Sequence, residues 1–556
     1  MANTSQGLDI EHARDSEIAA QAYGTKGGDI AGTVIESEKH LTFDGRSRWP
    51  QPSMDPNDPL NWTMLEKYTT CLTVCFFTFL ATVNASNFTV AVRPLAKEFE
   101  ESQTRIGFLV VFNILLLGLG NIFWIPMMRL VGKRPVFLAG LAILTGMNWW
   151  GYSTHSYNAL LASKILSGFG AAAADATVSG LIVDLFFIHE RGTSMMIFHT
   201  ALSAGFFLGP LINAYIVQNS GWRWTCGFLG IASAVTLTVG TFTIHETNYV
   251  RTKELTAPVE SYPPKRSWLA SMSIFRGYNR DASFFKSFLT VLGMAAYPPV
   301  TFTGLAVGVF TGWNIVIQLT SSRTFTQPPY DWKIGSLGLL SIAGFIGALF
   351  GFLIGGVLID WTSRAMTKRN GRREPEYRLP AMVFPAFFGP MGVLVFGLCV
   401  AHKTSWVGPA FGYAMQGFGL TAVSNIAVTY ASDSYERLAA EALVTVFVLR
   451  GTIGAILALF IVNWQEATGL QNTFGEMVAI QYFVLLMAIP LYFFGRRGAS
   501  DEASPIHLDP CSSVSMDATR GHDVAALRGT QQQHSTRVHF LEGLENYHIC
   551  CPGREP

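Results

Sequence analysis

Long apolar runs alternate with short polar punctuation along this chain, and the runs fall into two sets of six divided by a polar, basic stretch at residues 245–289. A backbone crossing lipid must satisfy its hydrogen bonds internally, so a run of about 20 apolar residues reads as a membrane-spanning helix. The runs predict spans at roughly 67–90, 106–128, 135–153, 158–184, 194–217, 224–244, 290–320, 334–360, 380–402, 405–430, 441–464 and 477–495. Pro298 and Pro299 remove two amide donors within the seventh run, which predicts a kink or break there. The expected fold class is an all-α integral membrane protein, with twelve transmembrane helices in two six-helix halves, 67–244 and 290–495. Residues 1–66 and 496–556 are rich in Ser, Gly, Gln and charge, and read as disordered tails around the two halves and the central loop.

Composition narrows the class. With 49% hydrophobic and only 14% charged residues, 556 residues suffice for a dozen spans, and a net charge of +1 offers no field for nucleic acid. No apolar core with a basic start and a small-residue cleavage site precedes the first span, so that span is expected to direct insertion itself. Basic residues gather on one side: Arg129, Lys133, Arg134, Arg191, Arg251, Arg364, Lys368, Arg369 and Arg496 fall in alternate loops, while the opposite loops hold few. That excess places both termini in the cytoplasm. The seven cysteines have no His or Cys partners at a zinc-site spacing, and no metal site is expected. Asn87-Phe88-Thr89 forms an N-glycosylation sequon at the outer end of span 1.

Several local sequences carry more. Gly356-Val-Leu358-Ile-Asp360, followed by Arg364 and Lys368-Arg369-Asn370-Gly371, lies after span 8, and Gly132-Lys133-Arg134-Pro135 lies after span 2. Span 5 carries Gly205-Phe-Phe-Leu-Gly209-Pro210, whose glycines four apart give a smooth face for close packing. Span 4 carries Lys164, then Gly168-Phe-Gly170 and Asp175. With the six-plus-six layout, these features resemble the major facilitator superfamily. The 356–371 segment is similar to its loop signature in the second-half copy. The first-half copy is altered, with Arg129 where the family has Asp and Ile125 where it has Gly. A latch there needs other partners, such as Asp184 or Glu190. The Gly205–Pro210 element is similar to one found in antiporters of the superfamily, and Lys164 stands where a family motif has Arg. Asp55-Pro-Asn-Asp58-Pro59, Asp184 to Gly192, His245 to Arg251, Arg373 to Leu379 and Thr429 to Tyr435 look like the fungal twelve-span drug:proton antiporter branch.

Ionisable groups inside a span are costly and usually face a cavity or a partner. Asp175 is the leading candidate for a proton-coupling carboxylate. Lys164, eleven residues before it, shares its helix face, and Arg450 with Glu441 in span 11 offers a further charged site. The resemblance implies two halves rocking about a midplane site, and spans 1, 4, 5, 7, 8, 10 and 11 would line the cavity. Candidate lining residues are Asn84, Asn87, Asn213, Tyr297, Trp313, Asn314, Tyr413, Gln416 and Asn425. Amides offer donor and acceptor, and the aromatic rings suit aromatic or cationic compounds.

The resulting expectation is a secondary active transporter at the cell membrane: a monomer exporting a small amphipathic xenobiotic or secondary metabolite in exchange for protons. Polyamine or organic-cation transport, with import as one direction, and a non-transporting nutrient sensor are the alternatives. No nucleotide loop, His-Glu-x-x-His or Ser-centred nucleophile turn is present, so neither an enzyme nor a cofactor is expected, and a proton gradient is the energy source.

Overall fold

The computed structural model describes residues 55–247, 273, 283–370, 375–435 and 438–493, apart from the side chains of 179, 183, 188–193, 195, 196, 360, 370 and 440. The readings of 1–54 and 496–556 as tails, and of most of the central loop, lie outside the described residues.

Helices account for nearly all of the described chain. The amino-terminal half comprises α1 (Met64–Ser86), α2 (Val92–Phe99), α3 (Gln103–Val131), α4 (Lys133–Ser153), α5 (Tyr157–Leu185), α6 (Ile188–Ser220) and α7 (Arg223–Thr243). A short helix, α8 (Phe284–Met294), leads into the other half: α9 (Pro298–Thr324), α10 (Ile334–Asn370), α11 (Val383–Ala401), α12 (Val407–Ser434), α13 (Ala439–Thr468) and α14 (Leu470–Leu486). Leaving out α2 and α8, twelve long helices remain, six to each half. Ten of the described helical stretches are apolar enough to cross a membrane by length and hydropathy, whereas α4 and α12 are more polar. Both have protein to face. The α12 residues Gln416, Thr421 and Tyr430 are buried among neighbouring helices, and Asn148 of α4 turns its side chain back to the Leu144 carbonyl.

Contacts sort the helix ends into two faces. At the near face, where α1 starts, Thr70 donates to the Thr243 carbonyl, Lys133 pairs with Asp184 and Arg378 with Asp433. At the far face, Arg223 pairs with Glu98, the Tyr157 hydroxyl donates to the Arg105 carbonyl, and Tyr330 donates to the Thr404 carbonyl.

Three expectations are corrected. The segment before α1 is ordered from residue 55: Asp58 caps a short 3-10 turn (Pro59–Asn61), and Thr63 and Glu66 form a reciprocal capping box that fixes where α1 begins. Lys67 is buried and donates to the Leu60 carbonyl at 3.0 Å, tying that turn to the helix. The seventh span starts later than expected. The chain breaks at 295–297 and resumes with Pro298 and Pro299 in the first helical positions, where their missing N–H groups cost nothing. Finally, the signature around Gly356 and Arg364 is not a loop but the last turns of α10, which runs to Asn370.

Glycines set how closely the helices approach within and between halves. On α10, Gly347, Gly351 and Gly355 face α12: a methyl group built on Gly347 would lie 1.8 Å from the Ala414 carbonyl oxygen, and one on Gly351 2.4 Å from that of Phe418. Gly356, the glycine singled out in the sequence, meets nothing within 4 Å. Between halves, α3 and α13 touch backbone to backbone, and a methyl group on Gly451 would lie 2.5 Å from Gly118 Cα.

Candidate functional site

The α3–α13 contact brings a carboxylate of one half to a guanidinium of the other. Arg450, next to Gly451, donates through Nη2 to Asp175 Oδ2 of α5 at 2.6 Å, and both side chains are 4% exposed. The guanidinium also lies over the Phe447 ring, 4.9 Å from its centroid. Beside this pair, between the halves, is a cavity lined by His199, Ser203 and Phe206 of α6, Val307 and Thr311 of α9, Thr421, Ser424 and Asn425 of α12, and Phe447 and Arg450 of α13. Its free volume is about 20 Å³, enough for a water but not for an organic compound. As the halves sit here the site has no room for an organic compound, which needs them to part.

Lys164 is not brought to Asp175. Although the two share a helix face, their levels along α5 meet different neighbours. Lys164 Nζ donates to Asn84 Oδ1 of α1 and Asn148 Oδ1 of α4, each at 3.2 Å, and lies 4.7 Å from the centre of the Phe88 ring. Asn113 of α3 closes the same cluster by donating to the Lys164 carbonyl at 2.7 Å and to Ser167 Oγ at 3.1 Å. Asn84 thus holds Lys164 inside the amino-terminal half and does not line the cavity. Asn87 is also corrected: it is 1% exposed, with its amide turned 4.0 Å from Cys226 Sγ, so the sequon is packed inside the protein.

The remaining candidates divide. Asn425 lines the cavity. Asn314 accepts from Gln318 at 2.7 Å, and the Tyr413 hydroxyl lies 3.2 Å from the same amide nitrogen. Trp313 and Gln416 are buried inside the carboxyl-terminal half, Trp313 against Trp464 at 6.4 Å between ring centres and Gln416 donating to the Phe310 carbonyl at 3.0 Å. Tyr297 stacks edge-on with Tyr435 at 5.3 Å at the start of α9, away from the cavity. Asn213 is fully buried in α6, and neither of its amide atoms has a hydrogen-bond partner among the described residues. Sequence reading missed His199 and Gln318. The signal was available: an imidazole and an amide within apolar runs carry the same cost in lipid as the residues it did select.

Glycine and proline motifs take structural places. Gly205 and Gly209 pack α6 on α1, where methyl groups would lie 1.7 Å from Thr82 Oγ1 and 2.5 Å from Ser86 Oγ. Pro210 sits within α6 one residue later. At the near face the altered signature has its own partners. Gly132 adopts φ +103°, which favours glycine, and a methyl group there would lie 2.3 Å from Glu246 Oε2. That carboxylate accepts from the Lys133 and Arg134 amides at 3.0 and 3.1 Å, capping α4. Arg134 is buried and donates to the Thr241 carbonyl at 2.8 Å. Asp184, one of the two expected partners, pairs with Lys133, and the side chain of the other, Glu190, lies outside the described residues. Arg129, in the place of the family's Asp, pairs with Glu441 at the start of α13 and so joins the two halves. In the second-half copy, Arg364 lines an open depression with Trp361 and Lys368, and the side chain of Asp360 lies outside the described residues. Replacing Glu246 by Ala leaves two amides at the α4 start without this acceptor, and a loss of about 0.5–2 kcal/mol is expected in thermal unfolding of the purified protein.

Comparison with known proteins agrees with this architecture. The chain is 25% identical to the efflux pump radE of Floropilus chiversii, over 81% of its own length and 84% of the relative's. It is also 25% identical to the major facilitator superfamily multidrug transporter mdrA of Aspergillus fumigatus, over 80% and 73%. Its fold matches the structure of the proton:xylose symporter XylE bound to 6-bromo-6-deoxy-D-glucose, with a TM-score of 0.56 at 13% identity, over 79% of this chain and 97% of that one. Residues 74–500 match the family model described as Major Facilitator Superfamily. The chain belongs to that superfamily and is a multi-pass membrane transporter.

Proposed function

We propose that the protein exports a small amphipathic organic compound in exchange for protons. The observation that carries this reading is the buried ion pair between Asp175 of one half and Arg450 of the other, whose Arg450 lines the cavity between the halves. With Asp175 ionised, the pair is neutral, and hydroxyls, an amide, an imidazole and phenyl rings line the cavity. That surface suits an uncharged or cationic amphipath. A proton arriving at Asp175 removes the charge that holds Arg450. The site then carries a net positive charge, which repels a cation, and the tie between the halves weakens. Proton and a cationic substrate so exclude one another, as exchange requires.

The near face is read as cytoplasmic from its excess of Arg and Lys, and the membrane as that of the cell surface. Export is supported by the names of the two relatives, one an efflux pump and one a multidrug transporter.

The test is an untargeted comparison of small molecules inside cells and in the medium, with the chain present and deleted, at two external pH values. A compound that accumulates inside on deletion, and leaves faster at lower external pH when the chain is present, is the expected result. Accumulation only in cells that hold the chain, suppressed by spermidine, would instead show an importer of organic cations and overturn export.

A further inference from the structure

An α-helix closes each turn by an N–H donating to the carbonyl four residues earlier. Pro210 has no N–H, so the Phe206 carbonyl loses its donor from within α6. A carbonyl left this way at bilayer depth needs another partner. The structure supplies one from the other half: Gln318 of α9 donates through Nε2 to the Phe206 carbonyl at 3.0 Å. Gln318 is 6% exposed; its second N–H donates to Asn314 Oδ1, and the Tyr413 hydroxyl lies 3.2 Å away. The Tyr413 ring packs on Phe207 at 5.6 Å.

This bond lies on the far-face side of the cavity. Phe206 is on the cavity wall, and beyond it α6 stays against α10: a methyl group on Gly338 would lie 2.9 Å from Leu211 Cα, and Gln218 accepts from the Gly335 amide at 2.8 Å.

From this geometry we infer that Gln318 is a positioning residue for the alternation of the two halves, and that Pro210 creates the acceptor it uses. Their hydrogen bond closes the cavity toward the far face and breaks each time that face opens. The proline thereby does more than bend a helix, because it exports an acceptor from α6 to the other half. The inference uses only the two-half geometry of the transporter and is independent of the coupling ion and of the direction of transport.

Spin labels at Lys97→Cys and Ser405→Cys, both exposed at the far face and one in each half, read its opening as a distance distribution. The full chain is used in lipid nanodiscs, with Cys399, Cys511, Cys550 and Cys551 replaced by Ser. Gln318→Met keeps the volume and removes the donor. It is expected to raise the ratio of far-open to far-closed molecules about two- to tenfold, as for one hydrogen bond lost. Pro210→Ala restores the in-helix donor and is expected to shift the ratio the same way. The double variant should shift no further than the larger single change, because both remove the same bond between the halves. An unchanged distribution in Gln318→Met, or single effects that multiply as if independent, would overturn the inference. Pro210→Ala keeps the test decisive if Gln318→Met fails to fold.

Discussion

Asp175→Asn is expected to abolish pH-driven uphill transport. In proteoliposomes with an imposed pH gradient, accumulation of the substrate should fall to the level seen without a gradient. Asn is nearly isosteric with Asp but cannot gain or lose a proton, so the site can no longer alternate between neutral and positive. The variant has a second, separable effect. Arg450 is 4% exposed and loses the carboxylate it donates to at 2.6 Å. Removing one partner of a buried pair costs about 3–5 kcal/mol, because the other charge stays buried. Thermal unfolding of the purified single variant should fall accordingly. Asp175→Asn combined with Arg450→Gln should recover most of that stability and none of the pH dependence. If the single variant still transports uphill in response to pH, Asp175 is not the coupling carboxylate.

The other large effect is expected at the seam. Gly118 of α3 and Gly451 of α13 meet with no side chain between them, and a methyl group on either would lie 2.8 or 2.5 Å from the Cα of the other. Gly451→Val therefore pushes backbone against backbone, where no flexible side chain can give way. Overpacking of this kind costs about 1–3 kcal/mol even in more compliant cores. Arg450 is the adjacent residue, so displacement of α13 also takes the guanidinium off Asp175. Loss of transport with a lowered unfolding temperature is the expected result. Gly356→Val serves as the control, because a methyl group at Gly356 meets nothing within 4 Å, and its transport should be preserved. Normal transport by Gly451→Val would mean that the two helices do not close at this point in the working protein.

Asp175 illustrates how much of the site could be read from the residues. Its charge inside an apolar run marked it, since burial in lipid makes any such carboxylate a candidate. Its partner lies 275 positions away, and the choice between Lys164 on the same helix and Arg450 on another was open to spacing arguments. Lys164 is taken up by Asn84, which the sequence had placed in the cavity lining, and by Asn148. Trp313 and Gln416 likewise turned into their own half. A side chain's periodicity says which face it shares, but not which helix covers that face.

Glycine spacing followed the same division. Gly205 and Gly209 were recognised as a packing face, and they meet α1. The longer run Gly347, Gly351 and Gly355 was passed over in favour of Gly356, which has one more residue of rotation and faces open space. About 100° of rotation per residue separates a contact from none.

Alone, the sequence determined the spans, their division into two halves, the near-face clustering of basic residues and the polar groups that a lipid environment makes expensive. These follow from local physics, because each helix must satisfy its own backbone and each charge has its cost wherever it sits. Only the tertiary structure decided which charges pair, which glycines touch and that Phe206 passes its carbonyl to Gln318. Those outcomes depend on how twelve helices tilt and close-pack together, a collective arrangement that no single segment encodes.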